Sequence, residues 1–250
     1  MSINGFIVRG NTPKKILTRA RGPSLAVNNH PIPGRLLNPT LELHDGSGAL
    51  IFFNDDWTTS PQKAQIQATG LAPPNSLEPA IVATLPQGNY TTIVRGKNNT
   101  TGIALGEIYG LPPNNGSELA NLSARALTLT GDNVLIDGLI IGDDTSTQTP
   151  VPPTQIVVRA LGPSLHAHGV SGELRNPTLD LYDANGTLLR RNDNWREAPN
   201  RTQIQAKGFA PSDNHESVIM VTLPPGNYTA IVRGVNGSTG IALAEVYILP

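Results

Sequence analysis

The chain is written twice. Asn38-Pro39-Thr40-Leu41 returns 138 residues later as Asn176-Pro177-Thr178-Leu179. The same offset carries Asn54-Asp55-Asp56-Trp57 onto Asn192-Asp193-Asn194-Trp195, and Gly88-Asn89-Tyr90-Thr91 onto Gly226-Asn227-Tyr228-Thr229. From Leu37 to Tyr109 the copies align without a gap, and about 40 of these 73 positions are identical. Upstream, Gly22-Pro23-Ser24-Leu25 matches Gly162-Pro163-Ser164-Leu165 at an offset of 140, so a two-residue difference is absorbed in the following loop. Self-similarity at this level fixes the architecture before any other signal is weighed. Two tandem domains of one kind are expected, the first over 1–112 and the second over 113–250.

Each copy reads as strands. Lys15–Arg19, Thr40–His44, Leu50–Phe53, Ala80–Leu85, Tyr90–Arg95 and Ile103–Tyr109 are runs rich in β-branched or aromatic residues, bounded by Gly, Asn and Pro. Asp45-Gly46-Ser47-Gly48 and Asp183-Ala184-Asn185-Gly186 sit between strands as hairpin turns, because Gly and Asn accept positive φ. One helix per copy is expected, in the first from a Ser60 cap, with Pro61 in its first turn and Gly70 at its stop. The second copy keeps Pro199 and Gly208 but has Ala198 at the cap, which predicts a more frayed helix. Trp57 and Trp195, at equivalent positions, read as core anchors. Many short strands with one helical turn predict an all-β fold: two antiparallel sandwiches, Ig-like or jelly-roll-like. Gly138-Leu139-Ile140-Ile141 matches Gly5-Phe6-Ile7-Val8, so the second copy is preceded by about twenty strand-forming residues that the first lacks. The leading strands of the second domain are placed at 118–141.

Composition excludes several function classes. Lys+Arg 18 against Asp+Glu 19 leaves a net charge of -1, without the basic face that phosphate contacts need, so no nucleic-acid partner is expected. Charged residues are only 15% of the chain, and Gly 25 with Pro 22 make it turn-rich without reaching a disordered composition. The absence of Cys rules out disulfides, thiolate metal sites and a Cys nucleophile. No apolar run reaches the roughly 18 residues of a membrane helix, so no membrane insertion is expected. The first nine residues lack the pattern of a secretory signal, which leaves a cytosolic chain or a processed or partial exported one.

Several strings carry a resemblance: Gly131-Asp132-Asn133-Val134-Leu135-Ile136, Val158-Arg159-Ala160-Leu161-Gly162-Pro163-Ser164-Leu165, Asn192-Asp193-Asn194-Trp195 and Leu223-Pro224-Pro225-Gly226-Asn227-Tyr228-Thr229. Over nearly the whole chain, twice, they resemble a repeat domain common near the C-termini of bacterial extracellular and surface proteins. The turn-rich middle of each copy, about 50 residues, resembles the bacterial pre-peptidase C-terminal domains, which are β-sandwiches. The resemblance implies a non-catalytic, exported, adhesive or structural module at the cell surface or beyond it.

Candidate sites follow from residue chemistry. Asp45, Asp55 and Asp56, with Asp183, Asn185, Asp193 and Asn194 in the second copy, put carboxylate and amide oxygens on neighbouring loops, and calcium takes six to eight such ligands. The same residue types are turn formers that bond their own backbone, so both readings stand. Calcium is the one cofactor considered, and none is required. Ser24 and Ser164 lack a nucleophile-elbow context, and nothing supports a glycosidase pair, so no catalytic residue is assigned and no enzymatic activity is expected. His166 and His168 could share a strand face. Arg95 and Arg233 end equivalent strands, in reach of a ligand or of an internal ion pair. Asn-x-Ser/Thr triplets at Asn89, Asn98, Asn99, Asn115, Asn121, Asn185, Asn200, Asn227 and Asn236 are glycosylation candidates if the chain meets that machinery.

The expected function is a non-enzymatic extracellular structural protein. Its sandwiches would assemble head-to-tail into a filament by strand exchange through residues 118–137, with the chain itself as partner. A carbohydrate- or surface-binding adhesion module, with surface glycans as partners, is the alternative, and an exposed aromatic platform would favour it.

Overall fold

The computed structural model describes residues 1–113, 116–142 and 152–249, and it is all-β, built from antiparallel sheets facing each other as sandwiches. The chain divides into two compact units, Met1–Ala120 and Asn121–Pro250. The division falls eight residues beyond Pro112, because the connecting segment is tied back to the first unit: Ser117 Oγ donates to Thr12 O at 2.5 Å.

In the first unit the strands are β1 (Ser2–Arg9), β2 (Lys14–Arg21), β3 (Ala26–Val27), β4 (His30–Pro31), β5 (Pro39–His44), β6 (Leu50–Asn54), β7 (Ala80–Leu85), β8 (Gly88–Gly96) and β9 (Leu105–Gly110). One sheet runs β7–β2–β9; the facing one has β1, β8, β5 and β6 in that order. Period-two alternation does the layering. Phe6 and Val8, Ile16 and Ala20, Leu41 and Leu43, and Tyr90 and Val94 are buried, and the Phe6 and Tyr90 rings stack at 5.5 Å. A short helix, α1 (Lys63–Ala68), covers the outer face of the β7–β2 pair: Ile66 packs with Leu17, Ala80 and Val82, and Trp57 and Leu71 close the cluster.

The second unit repeats this with β11 (Leu135–Ile141), β12 (Thr154–Leu161), β13 (Pro177–Asp183), β14 (Leu188–Asn192), β15 (Ser217–Leu223), β16 (Gly226–Gly234), β17 (Gly240–Ile248) and α2 (Arg201–Ala206), preceded by β10 (Glu118–Thr128). Its sheets run β15–β12–β17–β10 and β11–β16–β13–β14. Between them lies one apolar core containing Ile156, Val158, Leu179, Leu181, Ile219, Val232 and Val246. Outside the first sheet, Trp195, Ile204 and Met220 form a second cluster under α2.

Counterparts match strand for strand. β1 corresponds to β11, so of the leading strands only β10 has no equivalent in the first copy. The Gly131 turn does not make β10 and β11 a hairpin: β10 pairs with β17 and β11 pairs with β16, in opposite sheets.

The helices differ from expectation at their starts. Ser60 is not the cap of α1; it lies two residues before the cap, Gln62, and its Oγ accepts from Gln62 N–H at 3.1 Å. The two helices are equally long although Ala198 stands where the first copy has Ser60, and Ala198 is buried with the outer-face cluster. Asn200 Nδ2 also ties the start of α2 to Met220 O, where Gln62 Nε2 ties that of α1 to Val82 O. Gly70 and Gly208 end the helices with φ of +71° and +77°, a left-handed conformation suited to glycine.

Candidate functional site

The most constrained polar cluster in each copy is a carboxylate seat. Glu78 and Glu216 are both fully buried. In the first copy one oxygen, Glu78 Oε1, accepts from Gly22 N–H and Ser24 N–H at 2.9 Å and from Ser24 Oγ–H at 2.7 Å. Glu216 repeats the three bonds with Gly162 and Ser164, at 2.9, 2.9 and 2.6 Å. This explains the Gly-Pro-Ser string. A Cβ on Gly22 would stand 2.1 Å from Leu36 O, and one on Gly162 would stand 1.9 Å from Leu174 O, so only glycine brings the loop onto its carboxylate. Ser24 and Ser164 each donate their hydroxyl to this buried carboxylate. Sequence reading missed the seat, although both glutamates sit at one aligned position.

A second duplicated cluster lies on the outer face of the first sheet of each copy. Arg19 Nε donates to Glu107 Oε2 at 2.7 Å and its guanidinium lies over Tyr109; Arg159, Glu245 and Tyr247 repeat the arrangement. Both clusters bind the fold to itself.

The acidic candidates fall into separate groups. Asp45 Oδ1 accepts from Ser47 N–H, Ala49 N–H and Ser47 Oγ–H, and these bonds, led by the serine hydroxyl, hold its carboxyl below the usual range. Asp183 does the same at its turn, with the Thr187 amide as the main cause, and Asn185 contributes its own N–H there. Asp55 and Asp56 lie beyond the far end of β6, about 17 Å away at the rise of a strand. Lys97 Nζ donates to Asp55 Oδ2. The position of Lys97 is Val235 in the second copy, so Asp193 is not paired in this way. Asp55 Oδ1, Asp56 Oδ1 and Asp193 Oδ1 are buried without hydrogen-bond partners, and Asn194 Nδ2 donates to Glu197 at 3.3 Å. Among the described residues, no three His, Cys, Asp or Glu side chains converge as a metal-holding group.

The remaining candidates separate by exposure. Asn89, Asn98, Asn99, Asn185, Asn227 and Asn236 are exposed. Asn121 is buried and spends its amide on Val246 O at 2.9 Å, Asn200 spends its amide on Met220 O, and Asn115 lies outside the described residues. Arg95 and Arg233 make internal ion pairs, with Glu42 at 3.4 Å and Asp180 at 3.2 Å. His166 and His168 sit on a 3-10 turn, Pro163–His168, not on a strand; His166 Nδ1 is 3.6 Å from Glu173.

The two copies part company at one sheet edge. β17 is flanked by β12 on one side and β10 on the other, in a register that runs from Asn121 opposite Tyr247 to Thr128 opposite Gly240. β9 has β2 on one side and, among the described residues, ends its sheet on the other. Two local differences follow. β17 begins at Gly240, whereas the equivalent Gly102, Ile103 and Ala104 lie outside β9, which starts only at Leu105. The inward-facing Ala242, Ala244 and Val246 are buried, whereas Ala104, Gly106 and Ile108 are partly open. A strand end without a neighbour loses ladder bonds, and its inner side chains lose their cover.

No family model and no curated protein matches the sequence. A solved chain from Eubacterium rectale, provisionally described as a secreted protein, aligns over 98% of this chain and 68% of its own length, with 12% identity and a TM-score of 0.24. A score that low carries no argument about fold or role.

Proposed function

We propose that the chain is a non-enzymatic structural protein of the cell exterior whose first copy is completed by strand addition at β9, and that repeated addition builds a head-to-tail filament. The observation that carries this reading is the contrast between β17, covered by β10, and β9, which has nearly the same sequence and ends its sheet. Leu105-Gly106-Glu107-Ile108-Tyr109 and Leu243-Ala244-Glu245-Val246-Tyr247 differ only by Gly for Ala and Ile for Val. The edge that accepts β10 in one copy is therefore chemically present in the other. Strand addition supplies main-chain bonds along such an edge, and a heterologous contact that does not close a ring propagates.

A non-enzymatic role is supported by the use made of the duplicated polar clusters, each of which bonds inside its own copy. Surface adhesion is the second reading, and it draws on the exposed rings of Phe52 and Phe53. Bound calcium would act at the Asp55 or Asp193 loops, since Asp45 and Asp183 are occupied by their turns.

The test is sedimentation velocity and electron microscopy of the whole chain over a wide concentration range, with a synthetic peptide of residues 118–130 as competitor. Polymers that shorten as the peptide is added are expected, as is peptide binding lost in Ala104→Lys, which puts a charge where a donor side chain must pack. A chain that stays monomeric and does not bind the peptide overturns the proposal.

A further inference from the structure

The strand at the other end of the first copy's fold, β6, reads Leu50-Ile51-Phe52-Phe53-Asn54 and, among the described residues, pairs only with β5. Its four apolar side chains are 57%, 37%, 39% and 56% exposed, respectively. Four consecutive large apolar residues open to solvent on a terminal strand break the patterning rule that keeps sheet edges inert. The equivalent strand of the second copy obeys that rule. Its β14 reads Leu188-Leu189-Arg190-Arg191-Asn192, with two cations where the first copy has two phenylalanines. Arg191 is pinned across the ladder by Asp180, with bonds of 2.6 and 2.8 Å. In the first copy the residue opposite Phe53 is Glu42, which turns instead to His44 at 2.9 Å and to Arg95. One ancestral edge thus exists in a charged and an uncharged form, in the same fold and with the same strand order.

We propose that β6 is a self-association edge, pairing antiparallel with β6 of a second copy of this chain about a two-fold axis at Phe52. Charge decides the occupant. About that axis, Phe52 meets Phe52, Ile51 meets Phe53 and Leu50 meets Asn54. Asp55 and Asp56 then fall opposite Ala49 and Gly48, so no like charges are opposed. The same operation on β14 puts Arg190 against Arg190, and like charges directly opposite one another are destabilising. A two-fold contact is also closed, so it yields a dimer and does not propagate on its own. The proposal is independent of strand addition at β9: if both hold, the β6 contact joins filaments side by side.

The experiment uses the whole chain carrying Ala104→Lys, which removes the β9 contact. Sedimentation velocity is expected to show a concentration-dependent dimer. Phe52→Arg/Phe53→Arg should weaken it by more than about tenfold. That double variant copies the second unit's own edge, and Glu42 is placed to receive the arginine introduced for Phe53 as Asp180 receives Arg191, so its fold is expected to survive; the thermal midpoint checks this. Because the chain has no Cys, Phe52→Cys gives a clean reporter across the axis. A disulfide-linked dimer should form readily from it, and far more slowly from Arg190→Cys. A monomer at all concentrations, equal dimerisation by the double-arginine variant, or equal cross-linking at 52 and 190 overturns the proposal. So does a glycan that binds the monomer and loses its affinity in the double variant, because it would assign the exposed rings to carbohydrate.

Discussion

Asp137 sits in an unfavourable position for a carboxyl. It sits in β11, between the buried Leu135 and Leu139, and alternation turns it toward the interior. Its Oδ2 is sealed from solvent without a hydrogen-bond partner, and burial pushes its carboxyl up to about 7. In the unfolded chain the same group ionises near 3.9. Between these values the folded protein holds a proton that the unfolded chain has released, so stability falls as the pH rises from about 4 to about 7 and levels off above that. The equivalent of Asp137 in the first copy is Asn4, which carries no charge. Asp137→Asn should therefore raise the urea midpoint at pH 8 and leave it little changed near pH 4. An equal effect at both values would show that the carboxyl does not titrate with folding. At this scale the sequence was only partly legible. Asp45 and Asp183 could be read as turn formers because their partners lie two and four residues away. Glu78 and Glu216 could not, because the loops they hold lie more than fifty residues upstream.

Elements were more legible than single residues, because a strand declares itself by alternation and by the Gly and Asn that end it. Most strands of the first copy lie close to where their β-branched runs put them. β6 was found as a strand but not as an exposed one: four apolar residues in a row are the usual mark of a strand buried on both faces. Sheet order, which a single sequence does not carry, left β6 at the end of its sheet. The same ignorance hid the contrast between β9 and β17, whose sequences are almost interchangeable. Hydrogen exchange should separate that pair. Amides along Gly240–Ile248 lie in a strand bonded on both sides and should be protected by orders of magnitude over those of Gly102–Gly110 in the unassembled protein, since exchange follows local opening. Addition of the 118–130 peptide should slow the first copy's strand alone. Matched protection in the free monomer would mean that β9 already has a partner.

The whole molecule inherits these differences as unequal stability. The second unit has eight strands around one core, with β10 covering the inner positions of β17, and the first has the same layers without that cover. Two units of this kind are expected to unfold in two steps, the first copy first, rather than in one cooperative transition. The single tryptophan of each copy makes this measurable. Trp195 is buried and lies beneath the Arg196 guanidinium, and Trp57 is partly buried with its indole N–H donating to Asn75 O at 3.1 Å. In Trp195→Phe, fluorescence reports only the first unit, and in Trp57→Phe only the second. The denaturant midpoint from the former should be the lower. Coincident midpoints would mean that the absent strand costs the first copy nothing.

The near-identity of β9 and β17 also bears on the order of events at the ribosome. β10 leaves it directly behind β9, whereas β17 follows only after about 110 further residues. At roughly 5–20 residues per second, β10 spends on the order of ten seconds beside an edge that suits it, before the edge it finally occupies has been made. Local pairing is fast and closing a long loop is slow, so the nascent chain has every chance to form a β9–β10 hairpin that the finished fold must undo. In the proposed assembly, the rate at which β10 left such a hairpin would set how many newly made chains emerge with the β9 edge open to a neighbour.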